Sequence, residues 1–227
     1  MRIGILGAGG MADALGTQWA RAGHEVMVSG RDPHRARERA ATMTAQAQAQ
    51  GQARVRVGAD GVRAGTFAEA AGFGEVVVVA VRAAGLLDTL RAAGAALRGK
   101  PLIDVTNAPG PDAYDPTRPL ARLIADVTGG HVVKAFNLCH VDVWRMTPPV
   151  FGGRLLAVPL CGDAPEAVAA ARTLVADLGC TPVSGGGLER ATLLEATAAF
   201  VIGLWFGGAD AQAILPPLAS SGAHQPG

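Results

Sequence analysis

Three small residues near the start of the chain sit at a spacing suited to one kind of chemistry. Gly7, Gly9 and Ala12 form GxGxxA directly after the short apolar run Arg2–Leu6, where a helix pattern begins. In that context Gly7 permits a tight turn, Gly9 lets the backbone approach a diphosphate, and Ala12 keeps the helix close to the sheet. The free N–H groups and positive dipole end of the helix then face the anion. An ordinary Gly-rich turn shares the composition. The strand before and the helix after make this a dinucleotide site.

The end of the second strand selects the dinucleotide. An NAD site needs an acid about 20 residues on, to hold the ribose hydroxyls. Here the chain reads Val28-Ser29-Gly30-Arg31, with no acid. Ser29 offers a hydroxyl, and Arg31 and Arg35, one helical turn apart, can clamp a 2′-phosphate. Asp32 is the one nearby acid, and as an N-cap it turns its carboxylate to its own helix. The expected cofactor is therefore NADP(H). The segment GAALRGK over residues 94–100 resembles a phosphate loop, but Pro101 stands where a metal-binding hydroxyl belongs, and the helix-to-strand order is reversed. Gly99 reads as a helix stop. The sequence carries no HExxH, CxxC or GxSxG, and the adjacent Cys139-His140 does not make a metal site, so no metal is expected.

The elements that must position these residues alternate between strand and helix. Strands are predicted over 2–6, 25–28, 61–65, 75–81, 101–105, 131–136, 155–160 and 181–183. Helices are predicted over 10–22, from Asp32 onward, and over 66–71, 86–97, 119–127, 165–178 and 189–206. The alternating Ala/Gln tract at 45–50 reads as a helical extension or a loop. VVVVAV within 75–81, apolar on both faces, belongs in a buried parallel strand. The expected fold is α/β: a Rossmann-type doubly wound parallel sheet with a C-terminal helical extension. Residues 1–184 form the NADP-binding domain. Residues 185–227 form the extension, entered through a hinge-like Gly185–187 and leaving in a disordered tail. Ligands of such sheets bind at the carboxyl ends of the strands.

Composition narrows the function further. With 20 basic against 19 acidic residues the chain lacks the basic excess of a nucleic-acid binder. The N-terminal apolar run is too short and glycine-broken for a signal peptide, and the uncharged apolar stretch 196–209 is too short for a membrane span. The three cysteines, Cys139, Cys161 and Cys180, lie far apart, which suits reduced thiols and a cytoplasmic setting. The final helix carries Leu193, Leu194, Phe200, Val201, Leu204, Trp205 and Phe206, more apolar surface than one core-facing stripe needs, so a homodimer is expected.

The motifs MRIGILGAGGMADALG, HEVMVSGRD, GTFAEAAGFGEVVVVAV, LIDVTNAPG, VVKAFN and PLCGD occur in this order. Together they resemble the NADP-dependent reductases of coenzyme F420, a deazaflavin, along nearly the whole chain. The nucleotide-domain motifs are shared with pyrroline-carboxylate-type reductases and the ferric reductase domains of membrane metalloreductases. The resemblance implies direct hydride transfer between nicotinamide C4 and deazaflavin C5, with the protein holding the two rings in contact. It places Gly7, Gly9, Gly10, Met11 and Ala12 at the diphosphate and Ser29, Arg31 and Arg35 at the 2′-phosphate. Ala80 and Val81 then lie beside the cofactor, with Thr106, Asn107, Ala135 and Asn137 bordering the nicotinamide. The chain departs from the family where Arg82-Ala83 replaces a Pro-Trp-like pair. Asn137-Leu138-Cys139-His140 brings a histidine beside the ring site. Asn137 and His140 are the catalytic candidates. With His140 as proton donor, the alternative is an NADPH-dependent reductase of an imine or other small electrophile. A non-catalytic NADP sensor is the third reading.

Overall fold

The computed structural model describes residues 1–49 and 61–214. Ile3 and Ile5 of β1 (Arg2–Leu6) point to one layer and Leu6 to the other, so from Ile3 onward the strand is uncharged and buried on both sides. The same holds for β4 (Val76–Val79), whose four valines divide between two cores. Around β1 the chain winds α1 (Gly10–Arg21), β2 (Glu25–Ser29), α2 (Pro33–Ala49), β3 (Arg63–Gly65) and α3 (Phe67–Phe73). After β4 come α4 (Leu86–Ala93), β5 (Pro101–Asp104), α5 (Leu120–Thr128) and β6 (His131–Lys134). A small hairpin, β7 (Val150–Phe151) and β8 (Arg154–Leu155), precedes β9 (Ala157–Gly162), α6 (Pro165–Ala176), β10 (Thr181–Gly186) and α7 (Ala191–Phe206).

The main sheet runs in the order β10-β9-β6-β5-β4-β1-β2-β3. From β3 to β6 all pairs are parallel, as expected of a Rossmann-type sheet. One edge departs from the parallel order: β9 lies antiparallel on β6, and β10 is parallel to β9. Between β6 and β9 the chain makes a 3₁₀ turn at Val141–Arg145 and the hairpin, in place of a crossover helix, and so it returns along β6 reversed.

One core lies under α1, α2 and α6, the other under α3, α4 and α5. Leu15 and Trp19 of α1 are buried as their spacing predicts, and the Trp19 indole N–H donates to the Leu174 carbonyl at 3.0 Å. The predicted helix over 86–97 is broken: Gly94, at φ +68°, ends α4 and a 3₁₀ turn follows. The Ala/Gln tract continues α2 to Ala49. β10 runs through Gly186, so the boundary drawn at 184/185 falls inside a strand. The tail, 215–227, lies outside the described residues.

Candidate functional site

The turn after β1 is shaped by close approach. Gly7 has φ +141°, and a Cβ there would lie 2.3 Å from the Ala80 carbonyl oxygen. Ala80 in turn donates its N–H to the Leu6 carbonyl at 2.9 Å, so β1 and the residue after β4 meet backbone to backbone. At Gly9 a Cβ would touch nothing within 4 Å, and at Gly10 only Val141 Cγ2 at 3.4 Å. The helix end is thus open where a diphosphate would lie. Ala12 is buried and Met11 half-buried against the core. These five residues lie together at the turn from β1 into α1.

Past the end of β2 lie the residues expected at the 2′-phosphate. Arg31 and Arg35 are exposed, and neither makes an ion pair among the described residues. Asp32 caps α2 as predicted. Its Oδ1 accepts from the amides of His34 at 2.9 Å and Arg35 at 3.3 Å. The Arg35 and His34 amides hold its carboxyl below the usual range. The carboxylate is therefore engaged by its own helix. Ser29 departs from expectation. It is fully buried and its hydroxyl donates to the Ile5 carbonyl at 2.8 Å, so it joins β2 to β1 and offers no hydroxyl to a ligand.

The ends of β4, β5 and β6 bring the ring-side residues together. Ala80 and Val81 are half-buried just past β4. The Asn107 amide donates to the Asn137 carbonyl at 2.7 Å. The Asn137 amide donates to Asn107 Oδ1 at 3.1 Å and to the Leu194 carbonyl of α7 at 3.0 Å. Asn137 is 4% exposed and its Oδ1 has no hydrogen-bond partner. A buried acceptor without a donor is costly, and a carboxamide N–H, such as a nicotinamide carries, would satisfy it. Thr106 is buried, with amide and hydroxyl both on Asp104 Oδ1. Ala135 is fully buried and can border a ring only through its backbone. Phe136, beside it, is held at φ +60° with its ring edge-on to Trp19 and Trp144.

His140 does not line an enclosed pocket. Its side chain is 69% exposed, and Nδ1 lies 3.2 Å from Asp142 Oδ2, capping the 3₁₀ turn. The reason is local: the polar turn residues that follow, beginning with Asp142, draw the imidazole to the surface.

Beneath the asparagines lies a charged cluster that the sequence reading missed. Lys134 is fully buried, with Nζ 2.9 Å from Asp104 Oδ2 and 3.3 Å from Glu195 Oε1, and it donates to the Thr106 carbonyl. Glu195 also accepts from the amides of Leu120 at 2.9 Å and Ala121 at 3.0 Å, the first turn of α5. The signal was present. Each of the apolar segments at 101–105, 131–136 and 191–206 carries one charge, and a lone charge in a buried strand requires a buried partner.

Residues 2–108 match the family described as NADP oxidoreductase coenzyme F420-dependent. A structure from Arthrobacter sp. FB24, proposed to be an F420-dependent NADP-reductase, superposes with a TM-score of 0.71 at 27% identity, covering 92% of this chain and 96% of that one. A reductive aminase from Aspergillus terreus in complex with NADPH and ethyl levulinate shares the fold, with a TM-score of 0.64 at 19% identity over 91% of this chain and 62% of that one. The metalloreductase STEAP3 of Rattus norvegicus is 29% identical over 207 residues, 90% of this chain. The chain spans 38% of that relative's length. The match over residues 2–108 agrees with the resemblance read from the sequence, and the fold is of the Rossmann type.

Proposed function

We propose that the chain transfers a hydride directly between NADP(H) and a deazaflavin of the coenzyme F420 type. The observation that carries this reading is how the titratable groups around the ring-side residues are engaged. Asp104, Lys134 and Glu195 are buried and satisfy one another, and His140 is exposed and turned to Asp142. What remains at the strand ends is a pair of asparagines and backbone, which can bind and orient rings. Gly7, Gly9, Gly10, Met11 and Ala12 would hold the diphosphate and Arg31 and Arg35 the 2′-phosphate. Asn107 and Asn137 would hold the nicotinamide, beside Ala80, Val81, Thr106 and the backbone of Ala135. When bound, the nicotinamide supplies the hydride chemistry. The protein contributes proximity and orientation, worth up to roughly 7–11 kcal/mol in well-aligned cases.

Mixing the protein with NADPH and oxidised coenzyme F420 tests the reading. The visible deazaflavin band should bleach, and His140→Ala should lower turnover far less than the roughly 100-fold expected on losing a general acid. Absence of bleaching from mildly acidic to mildly basic pH would overturn it. The second reading, reduction of an imine or similar electrophile, draws on the fold shared with the NADPH-bound reductive aminase. It requires NADPH oxidation without deazaflavin and a severe His140→Ala defect. A homodimer in the cytoplasm completes the proposal. The exposed apolar side chains of α7 and the three free thiols support it.

A further inference from the structure

Asp13 stands in the first turn of α1, where its N–H bonds the Gly9 carbonyl. A carboxylate at this end of the helix opposes an anionic ligand, so its surroundings matter. Asp13 is 2% exposed. Its Oδ2 lies 2.6 Å from Arg145 Nη1 and its Oδ1 lies 3.1 Å from Arg39 Nη1. Arg145 also reaches Asp142 Oδ1 at 3.6 Å, so the Asp13 charge is held by two guanidiniums and is not left bare beside the turn. Arg39 does more: its Nε donates to the Ala8 carbonyl at 3.2 Å. Ala8 lies between Gly7 and Gly9, and the Ala8 carbonyl shares a planar trans peptide with the Gly9 N–H. Fixing that oxygen therefore fixes the direction in which the Gly9 N–H points.

We propose that Asp13, Arg39 and Arg145 form an ionic brace that positions the phosphate turn for any dinucleotide, separate from the reading of the 2′-phosphate by Arg31 and Arg35. Arg39 reaches the turn from α2, on the ribose side. Arg145 reaches Asp13 from the 3₁₀ turn after β6, on the ring side. The brace therefore ties both ends of the cofactor cleft to α1. It rests on the dinucleotide reading of the site, and Asp13 and Arg39 act in it as positioning residues.

Titration calorimetry with NADH and NADPH on the full chain tests it. Arg39→Gln should weaken both dinucleotides by the same factor, about tenfold for one lost charge-assisted bond, leaving their ratio and the melting temperature near those of the unaltered protein. Asp13→Asn should weaken both as well, and the double variant should be no weaker than Arg39→Gln alone. If Arg39→Gln does not fold, Arg39→Lys replaces it. A single ammonium cannot serve both Ala8 and Asp13, so both affinities should again fall together. Loss of NADPH affinity alone would make Arg39 another 2′-phosphate ligand and overturn the proposal. Unchanged affinities or additive effects would overturn it equally. If the unaltered protein binds neither dinucleotide, the underlying reading of the site fails. If it binds and the variants match it, only the brace fails.

Discussion

Arg31 and Arg35 stand past the end of β2 with no carboxylate engaging their side chains among the described residues, while Asp32 is spent on the α2 amides. With Ser29 committed to the sheet, the arginines alone would separate NADPH from NADH. NADPH should bind at least about tenfold tighter, from one charge-assisted contact worth roughly 1.5–3 kcal/mol. Arg31→Ala should remove most of that preference with little change for NADH; equal dissociation constants for the two cofactors in the unaltered protein would refute the assignment. Lys134 is the residue with most at stake for stability. Lys134→Met would leave Asp104 and Glu195 buried without their shared cation, and should cost roughly 3–5 kcal/mol. Urea unfolding measures this, and a loss under about 1 kcal/mol would mean that the acids find other partners.

At the scale of elements, the turn between β1 and α1 depends on two backbones meeting. Gly7→Ala adds a Cβ 2.3 Å from the Ala80 carbonyl at φ +141°, and neither side is a flexible side chain that can yield. The variant should lose roughly 2–4 kcal/mol of stability and most of its dinucleotide affinity. Retention of both, by thermal melts and calorimetry, would show that β4 can move away. The first turns of α7 are tied to the same region. Leu194 accepts from Asn137, Glu195 pairs with Lys134, and Tyr114 bonds Thr192 at 2.9 Å. The helix thus fastens the ring-side strand ends through its polar groups, while the large apolar side chains elsewhere on it are left outside the core.

For the whole molecule those side chains matter most. Phe200 is 60% exposed and Phe206 is 79% exposed, with Leu193 and Trp205 near half. The residues that α7 buries are small or polar: Ala191, Glu195, Ala198 and Ala199. Large apolar side chains left exposed on several sides of one helix need cover in water. A second copy of the chain, docked through α7, is the proposed cover. Sedimentation equilibrium at micromolar concentration should give a dimer, and Phe200→Asp should shift it to monomer; a monomer before substitution would count against the proposal. No helix among the described residues is long and apolar enough to cross a membrane.

The tight glycine turn after β1, the Asp32 cap, the doubly buried strands and the alternating order of elements were legible in the sequence because each depends on spacing within one or two elements. GxGxxA needs only a strand before it and a helix after it, and four consecutive valines can lie only where both faces are covered. The fate of Ser29 was decided by which way β2 presents its hydroxyl to β1. That of His140 was decided by the turn that follows β6, and the reversed edge of the sheet by the missing crossover helix. The Asp104–Lys134–Glu195 cluster and the Asp13–Arg39–Arg145 brace join residues from elements far apart in the chain. A lone buried charge announces that it must have a partner, but only packing chooses which residue that partner is, because the pairing is set by distances in space and not by separation along the chain.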